Sequence, residues 1–351
     1  MVRFLCWFTW ESRYELYLSE RQTTHSGASL SEMHAGTVAS CKSNREIIIM
    51  IKKAFKHLFH SMGYALKPVH RKSFFGGDGL RTFRIGRFQL LANKNHTIEF
   101  NMRQFPFYNL NLPRLARFVE GRFPGAAVVD IGANIGDTAA FIRNMSDVPV
   151  ICIEGNDYYF GLLEKNTQSI PDVTLIKTYL AEKTTEIAGK PTFVEGTSSI
   201  LEGEDRIRLV SFDDLAKDPA YDFSRVKIIK TDTDGYDMMI LRGAMDFIER
   251  NKPVLFFEYD REFLRQQKDP GIDTLRKLAD AGYHRILFYD NQGRFIVALT
   301  TQDFDSIVQM HDYIEGYKAP FEFYDICFFH KDDDEMACAF VSSEMRLNAA
   351  E

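Results

Sequence analysis

From Ala126 onward, short apolar runs alternate with stretches whose apolar residues recur at helical spacing. The runs expected to be strands are Val128–Ile131, Val150–Glu154, Thr174–Leu180, Lys227–Thr231 and Val254–Glu258. The stretches expected to be helices are Thr138–Met145, Tyr158–Gln168 and Met238–Arg250. Continuous apolar strands separated by helices are typical of a parallel sheet covered by helices on both faces. The pattern therefore predicts an α/β fold.

The segments on either side of this alternation predict further elements. These are strands at Thr82–Leu91 and His96–Asn101, a helix at Pro113–Gly121, an inserted hairpin at Pro191–Leu215, a helix at Thr274–Ala281, and a hairpin of Arg285–Asp290 with Phe295–Leu299. Pro113 near the start and Gly121 at the end support the bounds of the helix predicted at Pro113–Gly121. The expected architecture is thus a mostly parallel sheet preceded by an α+β extension.

The first sixty residues have a different texture. Residues 1–45 are rich in Ser, Thr, Glu and His without a sustained period, which favours a flexible extension. One hypothesis is that Met50 is the natural start and the first 49 residues are an upstream read-through. From Ile47 to Met62 the apolar residues recur at helical spacing opposite lysines, which predicts an amphipathic basic helix. That helix is expected to pack on the main domain, and peripheral membrane contact through 47–62 is the alternative.

These patterns divide the chain into four segments. They are a flexible extension (1–45), a lead-in of helix and strands packed on the core (46–124), the α/β domain (125–300) and a C-terminal extension (301–351).

Composition and charge exclude several classes of function. The chain has 351 residues with 43 Lys and Arg against 49 Asp and Glu, a net charge of −6, so nothing favours a nucleic-acid partner. No apolar run approaches the roughly 20 residues that span a bilayer. The five cysteines include no C-x-x-C pair, which predicts neither a disulfide framework nor a zinc site and suits the cytoplasm.

A glycine-containing loop follows the first predicted strand. Asp130 lies near the end of that strand, and Gly132 and Gly136 follow in a G-x-x-x-G spacing. In open α/β sheets, ligands bind at the carboxyl ends of strands. The G-x-G-x-x-G fingerprint of dinucleotide sites is absent, and a carboxylate beside the loop repels phosphate but attracts a sulfonium group. The loop therefore favours S-adenosylmethionine over a dinucleotide, and Asp137 and Thr138 can cap the following helix.

Acidic residues also end the second and fourth predicted strands. Glu154 is at the strand tip where ribose hydroxyls are held by paired hydrogen bonds. Asp232, Asp234 and Asp237 follow the fourth strand. Three roles stand open for them: capping the next helix, binding a divalent metal, or contacting cofactor or acceptor in the cleft. The calcium-loop pattern fits only in part, so the cleft role is favoured and no metal site is predicted.

Taken together, these motifs resemble the FkbM-type S-adenosylmethionine-dependent methyltransferases. The matching segments are VVDIGANIGDTA (128–139), ICIEGN (151–156), TSSIL (197–201), VSFDDL (210–215), IKTDTDGYDMMILRGA (229–244) and VLFFEYD (254–260). The resemblance does not cover residues 1–80 or the last forty. It implies a class I methyltransferase fold, Rossmann-like, in the α/β domain.

The resemblance also implies roles for individual residues. By carry-over, the methionine part of the cofactor is lined by Asp130, Gly132, Asn134 and Gly136, with Ala133 and Thr138 in the same loop. The resemblance assigns binding of the ribose to Glu154, with Gly155 and Asn156 beside it. It assigns binding of the adenine to Ala181 and Glu182. Asp232 and Asp234 are placed near the transferred methyl group, and one of them is the candidate general base.

The reaction implied is O-methylation of a hydroxyl on a small-molecule, sugar or glycan acceptor, or on a secondary-metabolite scaffold, as in polysaccharide biosynthesis. Two other functions stay open. One is a non-catalytic binding protein that keeps the methyltransferase fold. The other is a nucleotide-linked oxidoreductase, which the glycine spacing disfavours. The sequence indicates no oligomeric state.

The 30 Phe and 15 Tyr residues can fill a core or line a pocket. Phe141, Phe247 and Phe256 are expected in the core. The aromatic residues expected around the cleft are Phe105, Phe107, Tyr108, Tyr158, Tyr159, Tyr236, Tyr259, Phe321, Phe323 and Tyr324.

Overall fold

The computed structural model describes residues 14–17, 65–68, 79–94, 96–194, 197–314, 321 and 323–349. The chain forms two compact units, Met1–Gly76 and Gly77–Glu351. In the first unit, strands β1 (Tyr14–Tyr17) and β2 (Ala65–Pro68) pair in antiparallel fashion. The helix predicted at 47–62 lies outside the described residues, as does all of the predicted extension 1–45 except β1.

The second unit begins with a hairpin of β3 (Leu80–Ile85) and β4 (Phe88–Asn93), followed by helix α1 (Ile98–Gln104). The prediction of one strand over 82–91 was wrong because Gly86 adopts φ +52°, which lets the chain reverse in a two-residue turn. The prediction of a strand over 96–101 was also wrong. Its apolar residues are too few for a periodic signal, and tertiary packing of Ile98 decides the helix.

The remaining elements alternate along the chain. The strands are β5 (Ala127–Ile131), β6 (Val150–Glu154), β7 (Val173–Lys177), β8 (Tyr179–Leu180), β9 (Thr185–Val194), β10 (Thr197–Val210), β11 (Val226–Thr231), β12 (Val254–Asp260), β13 (Tyr283–Asp290), β14 (Phe295–Thr300) and β15 (Phe323–His330). The helices are α2 (Asn111–Glu120), α3 (Asp137–Met145), α4 (Asp157–Thr167), α5 (Phe212–Leu215), α6 (Asp237–Arg242), α7 (Met245–Asn251), α8 (Arg261–Gln266), α9 (Ile272–Asp280), α10 (Phe304–Tyr313) and α11 (Asp334–Ala349).

Eight strands form the central sheet in the order β14-β13-β15-β12-β11-β5-β6-β7. The ladders from β12 through β7 are all parallel. β15 runs antiparallel between β12 and β13, and β14 pairs with β13 as the predicted late hairpin. The strand order reverses between β5 and β11, which brings the carboxyl ends of these two strands to a crevice.

The alternation of side chains along the strands separates two apolar faces. One face packs against α5–α10 through residues such as Val129, Ile229 and Phe257. The other packs against α2, α3, α4 and α11 through residues such as Val128 and Ile228. Helices therefore cover both faces, which confirms the predicted α/β architecture. The β3–β4 hairpin packs outside α3 and α4 in a third apolar cluster.

Three further boundaries differ from the sequence predictions. The predicted third strand ends at Lys177, and Tyr179–Leu180 joins the three-stranded sheet β8-β10-β9. The inserted hairpin predicted over 191–215 is the β9–β10 pair, which begins earlier, at Thr185, and ends at Val210, and the last four predicted residues form α5. The predicted helix 238–250 is divided into α6 and α7 at Gly243. A Cβ atom there would lie 2.3 Å from the carbonyl oxygen of Ala181, so the chain needs glycine at this close approach.

The helices in the described part of the chain include none that is long and apolar enough to cross a bilayer.

Candidate active site

The loop after β5 packs directly against the turn after β11. Gly132 has φ +77°, and a Cβ atom on it would lie 2.1 Å from the carbonyl oxygen of Asp232. Asn134 and Gly136 also adopt left-handed conformations, with φ +47° and +85°, and Gly136 precedes α3. The loop therefore folds tightly and brings its backbone to the edge of the crevice.

Glu154, at the tip of β6, is held by this loop. One carboxylate oxygen accepts a hydrogen bond from the backbone N–H of Asn134 at 2.9 Å, and the other from that of Asn156 at 2.7 Å. Asn156 in turn caps α4 by accepting from the N–H groups of Tyr158 and Tyr159. Each Glu154 oxygen keeps lone-pair capacity for a further donor. This side chain is thus oriented before any ligand arrives.

A cleft of about 290 Å³ opens at the carboxyl edge of the sheet, beside the Gly132 loop. The elements that line it are the Gly132 loop, α2, α3, β11, β12, β15 and the turns next to them. Its lining residues are His96, Thr97, Tyr108, Asn109, Asn111, Leu112, Pro113, Gly132, Asn134, Asp137, Thr138, Phe141, Lys230, Thr231, Asp232, Asp234, Phe256, Glu258, Asn291, Phe323 and Asp325.

A buried ion pair lies at the base of the cleft. Lys230 and Asp130 are partners across the β11–β5 ladder, and Lys230 Nζ lies 2.9 Å from Asp130 Oδ1. Their side chains are only 5% and 0% exposed. Lys230 Nζ also lies 3.5 Å from Asp232 Oδ2. Burial alone lowers the pKa of Lys230, but these carboxylates raise it by more, so the ammonium group stays charged.

Three carboxyl side chains lie on the same face of the central sheet, each on a neighbouring strand or directly after it. Asp232 and Glu258 come directly after Thr231 and Phe257, the last partners of the β11–β12 ladder, and Asp325 is the partner of Glu258 on β15. Neighbouring strands lie about 4.8 Å apart, so the three Cα positions span about 10 Å. We call Asp232, Glu258 and Asp325 the acid row.

Burial shifts the acids of the cleft toward their protonated forms. It raises the pKa of Asp325 to about 7, although a hydrogen bond from Asn111 opposes this, and that of Asp137 to about 7. Burial and then Asp232 raise the pKa of Asp234 to about 8. The pKa of Glu258 is raised well above its usual range, again first by burial and then by neighbouring carboxylates. The cleft therefore carries both negative charge and exchangeable protons near neutral pH.

Residues outside the β5–β12 core complete the wall opposite the Gly132 loop. Asn111, at the start of α2, donates a hydrogen bond from Nδ2 to Asp325 Oδ2 at 2.7 Å. Tyr108 and Phe323 supply aromatic surface beside this pair. Polar groups set among aromatic walls are typical of small-molecule sites.

The structure brings part of the predicted set into the cleft. Gly132, Asn134, Thr138, Asp232 and Asp234 line it directly. Asp130 lies beneath the loop, where its carboxylate faces Lys230. Ala133 is buried, and Gly136 and Asn156 precede helices.

The residues predicted for the ribose and adenine lie to one side of the cleft lining. Gly155 lies against the ring of Tyr179, where a Cβ atom would approach to 2.3 Å. Ala181 donates its N–H to Val210, and Glu182 accepts a hydrogen bond from Arg242 Nε at 2.8 Å. Their assignment to the cofactor stays a prediction.

Four cleft residues escaped the sequence reasoning: Lys230, Glu258, Asp325 and Asn111. The first three share a signal, which is a charged side chain inside an otherwise apolar strand. Burying such a group is costly unless it has a partner or a function. Asn111 carries no comparable signal, because an amide at a helix start is ordinary.

The aromatic predictions were correct only in part. Tyr108 and Phe323 line the cleft as expected. Tyr259 and Tyr324 are instead buried in the core, because alternation along β12 and β15 points them away from the cleft. Tyr159, on α4, is buried in the apolar cluster under the β3–β4 hairpin. Phe141 and Phe256, expected as core residues, also contribute to the cleft lining.

Residues 130–285 match the family model of the methyltransferase FkbM domain. This segment, which we call the FkbM domain, is similar to the methyltransferase domain of that family and covers less than half of the chain. The mostly parallel sheet with helices on both faces is the class I methyltransferase fold that the resemblance implied. The FkbM domain contains the Gly132 loop, Glu154, Lys230 and Glu258, whereas Asn111 and Asp325 lie outside it.

Several solved methyltransferase structures are similar to the chain at low identity. The methyltransferase FkbM of Methylobacillus flagellatus is 16% identical over 58% of this chain and 44% of that one, with a TM-score of 0.30. The chain thus spans less than half the length of that relative. The precorrin-6y C5,15-methyltransferase of Geobacter metallireducens is 14% identical over 62% and 86%, with a TM-score of 0.32. TYW2 of M. jannaschii, solved in complex with AdoMet, is 10% identical over 76% and 90%, with a TM-score of 0.33. No curated protein matches the chain.

Proposed function

We propose that the protein transfers a methyl group from S-adenosylmethionine to a hydroxyl oxygen of a sugar, glycan or secondary-metabolite acceptor. The observation that carries this proposal is the acid-lined cleft beside the Gly132 loop of the FkbM domain. A cleft of this charge attracts a cationic cofactor and repels the pyrophosphate of a dinucleotide. The nucleotide-linked oxidoreductase is therefore the less favoured alternative.

The donor groups present fit this cofactor. Glu154 is fixed by two backbone N–H groups and retains acceptor capacity for the two hydroxyls of a ribose. Gly132 and Asn134 present backbone at the entrance to the cleft. When bound, S-adenosylmethionine supplies an electrophilic methyl group on a positively charged sulfur.

The cleft lining also fits the demands of the acceptor. Among the described lining residues there are five carboxyl side chains but one ammonium group, Lys230, which is already engaged by Asp130 and Asp232. The remaining carboxyl groups are hydrogen-bond acceptors for hydroxyls and can take up a proton. Most of the rate enhancement should come from holding the acceptor oxygen in line with the methyl group.

Two measurements on the full-length protein test this function. Titration calorimetry with S-adenosylmethionine and with S-adenosylhomocysteine should show binding of both, and with NAD none. Incubation with methyl-labelled cofactor and a panel of sugars, glycans and nucleotide sugars should then give a product that carries the label on oxygen. Binding without transfer to any acceptor would favour the non-catalytic binding protein. Binding of NAD in preference to S-adenosylmethionine would contradict the proposal.

The variant Asp232→Asn tests whether the cleft is catalytic. Removing this carboxylate should lower turnover much more than cofactor affinity, because Asp232 is expected to lie near the acceptor hydroxyl and the transferred methyl group. Unchanged turnover would exclude a part for Asp232 in catalysis.

A further inference from the structure

The central member of the acid row differs from the two outer members. Asp232 lies 3.5 Å from Lys230, and Asp325 accepts a hydrogen bond from Asn111. Glu258 Oε2 is shielded from water and has no hydrogen-bond partner among the described residues. Like charges on adjacent strands destabilise a sheet. The row therefore needs a proton or a positive ligand at its centre.

We propose that Glu258 accepts the proton of the acceptor hydroxyl, and that it becomes competent when the positively charged cofactor displaces the proton it carries in the cofactor-free protein. This inference rests on the proposed function. It assigns the general base to β12 rather than to Asp232 or Asp234, the two candidates from the sequence.

The surroundings of Glu258 explain why it would hold a proton before the cofactor binds. Burial raises the pKa of Glu258, and the carboxylates around it raise the pKa further. A sulfonium group placed among these carboxylates would reverse the electrostatic part of that shift. The charged groups around the acid row are Lys230 on β11, Asp232 and Asp234 after it, Asp237 on α6, Asp260 on β12, and Asp325 and Asp290 on β15 and β13.

The two sequence-derived candidates are less suited to the role. The Asp232 side chain is 54% exposed and already shares Lys230 with Asp130. Asp234 lies in the turn after β11, with φ +52°, whereas Glu258 is part of a strand paired on both sides. Groups on rigid strands hold their geometry better than groups on loops.

The transfer step balances with Glu258 as base. The acceptor O–H bond breaks and its proton passes to the Glu258 carboxylate. The bond between sulfur and the methyl carbon breaks as the O–CH₃ bond forms, and the electron pair of the broken bond remains on sulfur. A cationic cofactor and a carboxylate thus become a neutral sulfide and a carboxylic acid.

Proton release on binding provides a test that needs no acceptor. Calorimetric titrations of the full chain in two buffers of different ionisation enthalpy report the protons released. A pH of 8.5 lies above the pKa of Asp325, about 7, and that of Asp234, about 8, so these two acids are mostly ionised before the ligand binds. Binding of S-adenosylmethionine should release more protons than binding of neutral S-adenosylhomocysteine, since only the former carries the sulfonium charge.

Variants assign this excess release to Glu258. The excess should disappear in Glu258→Gln and persist in Glu164→Gln, which changes an exposed acid on α4. Glu258→Asp keeps a carboxyl group and should retain part of the excess proton release. This variant replaces Glu258→Gln in the test if the Gln variant does not fold. An equal release by the two ligands in the unaltered protein, or an excess that survives Glu258→Gln, would overturn the proposal. Absence of binding by either ligand would instead overturn the proposed function, and this inference with it.

Turnover adds a second readout once the product screen has supplied an acceptor. Glu258→Gln should lower kcat about 100-fold or more, as expected for a lost general base, a larger effect than its effect on the KM for the cofactor. Loss of the ascending limb of the pH–rate profile, where the rate rises as the base ionises, should accompany it. A similar loss of kcat with an unaltered profile would mark a purely structural role and reject the base.

Discussion

The two halves of the crevice differ in how their acidic side chains are held. On the β5–β6 side, Glu154 is satisfied by backbone N–H groups, and the loop that holds it is locked by left-handed residues. On the β11–β12–β15 side, three carboxyl groups stand one strand apart, and Oε2 of the central one, Glu258, has no hydrogen-bond partner among the described residues. The Glu154 carboxylate is preorganised by hydrogen bonds from the backbone, whereas the acid row retains like charges and protons.

This difference indicates how binding and chemistry are divided. A satisfied carboxylate with spare lone pairs recognises a ligand at little reorganisation cost. An unsatisfied buried acid is unfavourable by itself and is retained where its proton affinity serves a reaction. We therefore expect substitutions in the first half to act on cofactor affinity and those in the second half to act on proton balance and turnover.

The largest effect is expected at the ion pair between the halves. Lys230→Met should destabilise the protein by about 3–5 kcal/mol at pH 7, because Asp130 is left as a buried, unpaired charge. Urea unfolding measures this. The exposed Lys165→Met on α4 is the control and should change the free energy of unfolding by less than about 0.5 kcal/mol.

A double variant sharpens that experiment. Asp130→Asn combined with Lys230→Met should recover part of the loss, since no charge remains buried. A loss below about 1 kcal/mol for Lys230→Met alone would show that the pair is dispensable.

The next effect concerns the contact that joins the two loops. Gly132→Ala should destabilise the protein by about 3 kcal/mol and abolish cofactor binding, since its Cβ would meet the Asp232 backbone at 2.1 Å in a left-handed conformation. Gly161→Ala on α4 is a matched control, because a Cβ there meets nothing within 4 Å. That variant should be stabilised by about 0.5–1 kcal/mol through helix propensity. Thermal unfolding distinguishes them, and equal effects at both sites would contradict the close packing of the loops.

A pH-dependent effect is expected on the acid side. The pKa of Asp234 is raised to about 8, so the folded protein binds a proton that the unfolded chain releases above pH 4. This group therefore costs stability as pH rises from about 4 to about 8. Asp234→Asn removes the cost and should stabilise the protein by about 2 kcal/mol at pH 8, with a smaller gain at pH 5.

Unfolding at the two pH values provides the measurement. Asp280→Asn, on the exposed end of α9, should give the same small change at both. A gain in Asp234→Asn that does not grow with pH would mean that this acid is not held protonated.

The smallest effect is expected at Glu154. Glu154→Gln places an amide N–H₂ against one of the two backbone donors that now serve the carboxylate. Affinity for S-adenosylhomocysteine should fall about tenfold, or about 1.4 kcal/mol, with proton release unchanged. Calorimetry measures both quantities, and Glu164→Gln is the control. A change in proton release without a change in affinity would contradict the expectation that Glu154 acts on cofactor affinity and the acid row on proton balance.

Much of the fold was predictable because its signals are local. The apolar runs of β5, β6, β11 and β12 and the helices between them follow from periodicity alone, within a few residues. The Gly132 loop and Glu154 were found because glycines and acids at strand ends form contiguous motifs. The errors arose at the β3–β4 hairpin and at α1, where short segments gave too little periodic signal and tertiary contacts decided the conformation.

The amino-acid sequence by itself determined the alternation of strands and helices, the loop after β5 and the excess of acids near it. Only the tertiary structure decided which charges meet. Lys230 faces Asp130 because β11 pairs with β5, and Glu258 lies between Asp232 and Asp325 because β15 inserts antiparallel beside β12. Strand order and register are set by the packing of whole faces, so a charge pair a hundred residues apart has no local signature. The electrostatics of the cleft therefore depend on the tertiary fold, although each acidic residue can be seen in the sequence.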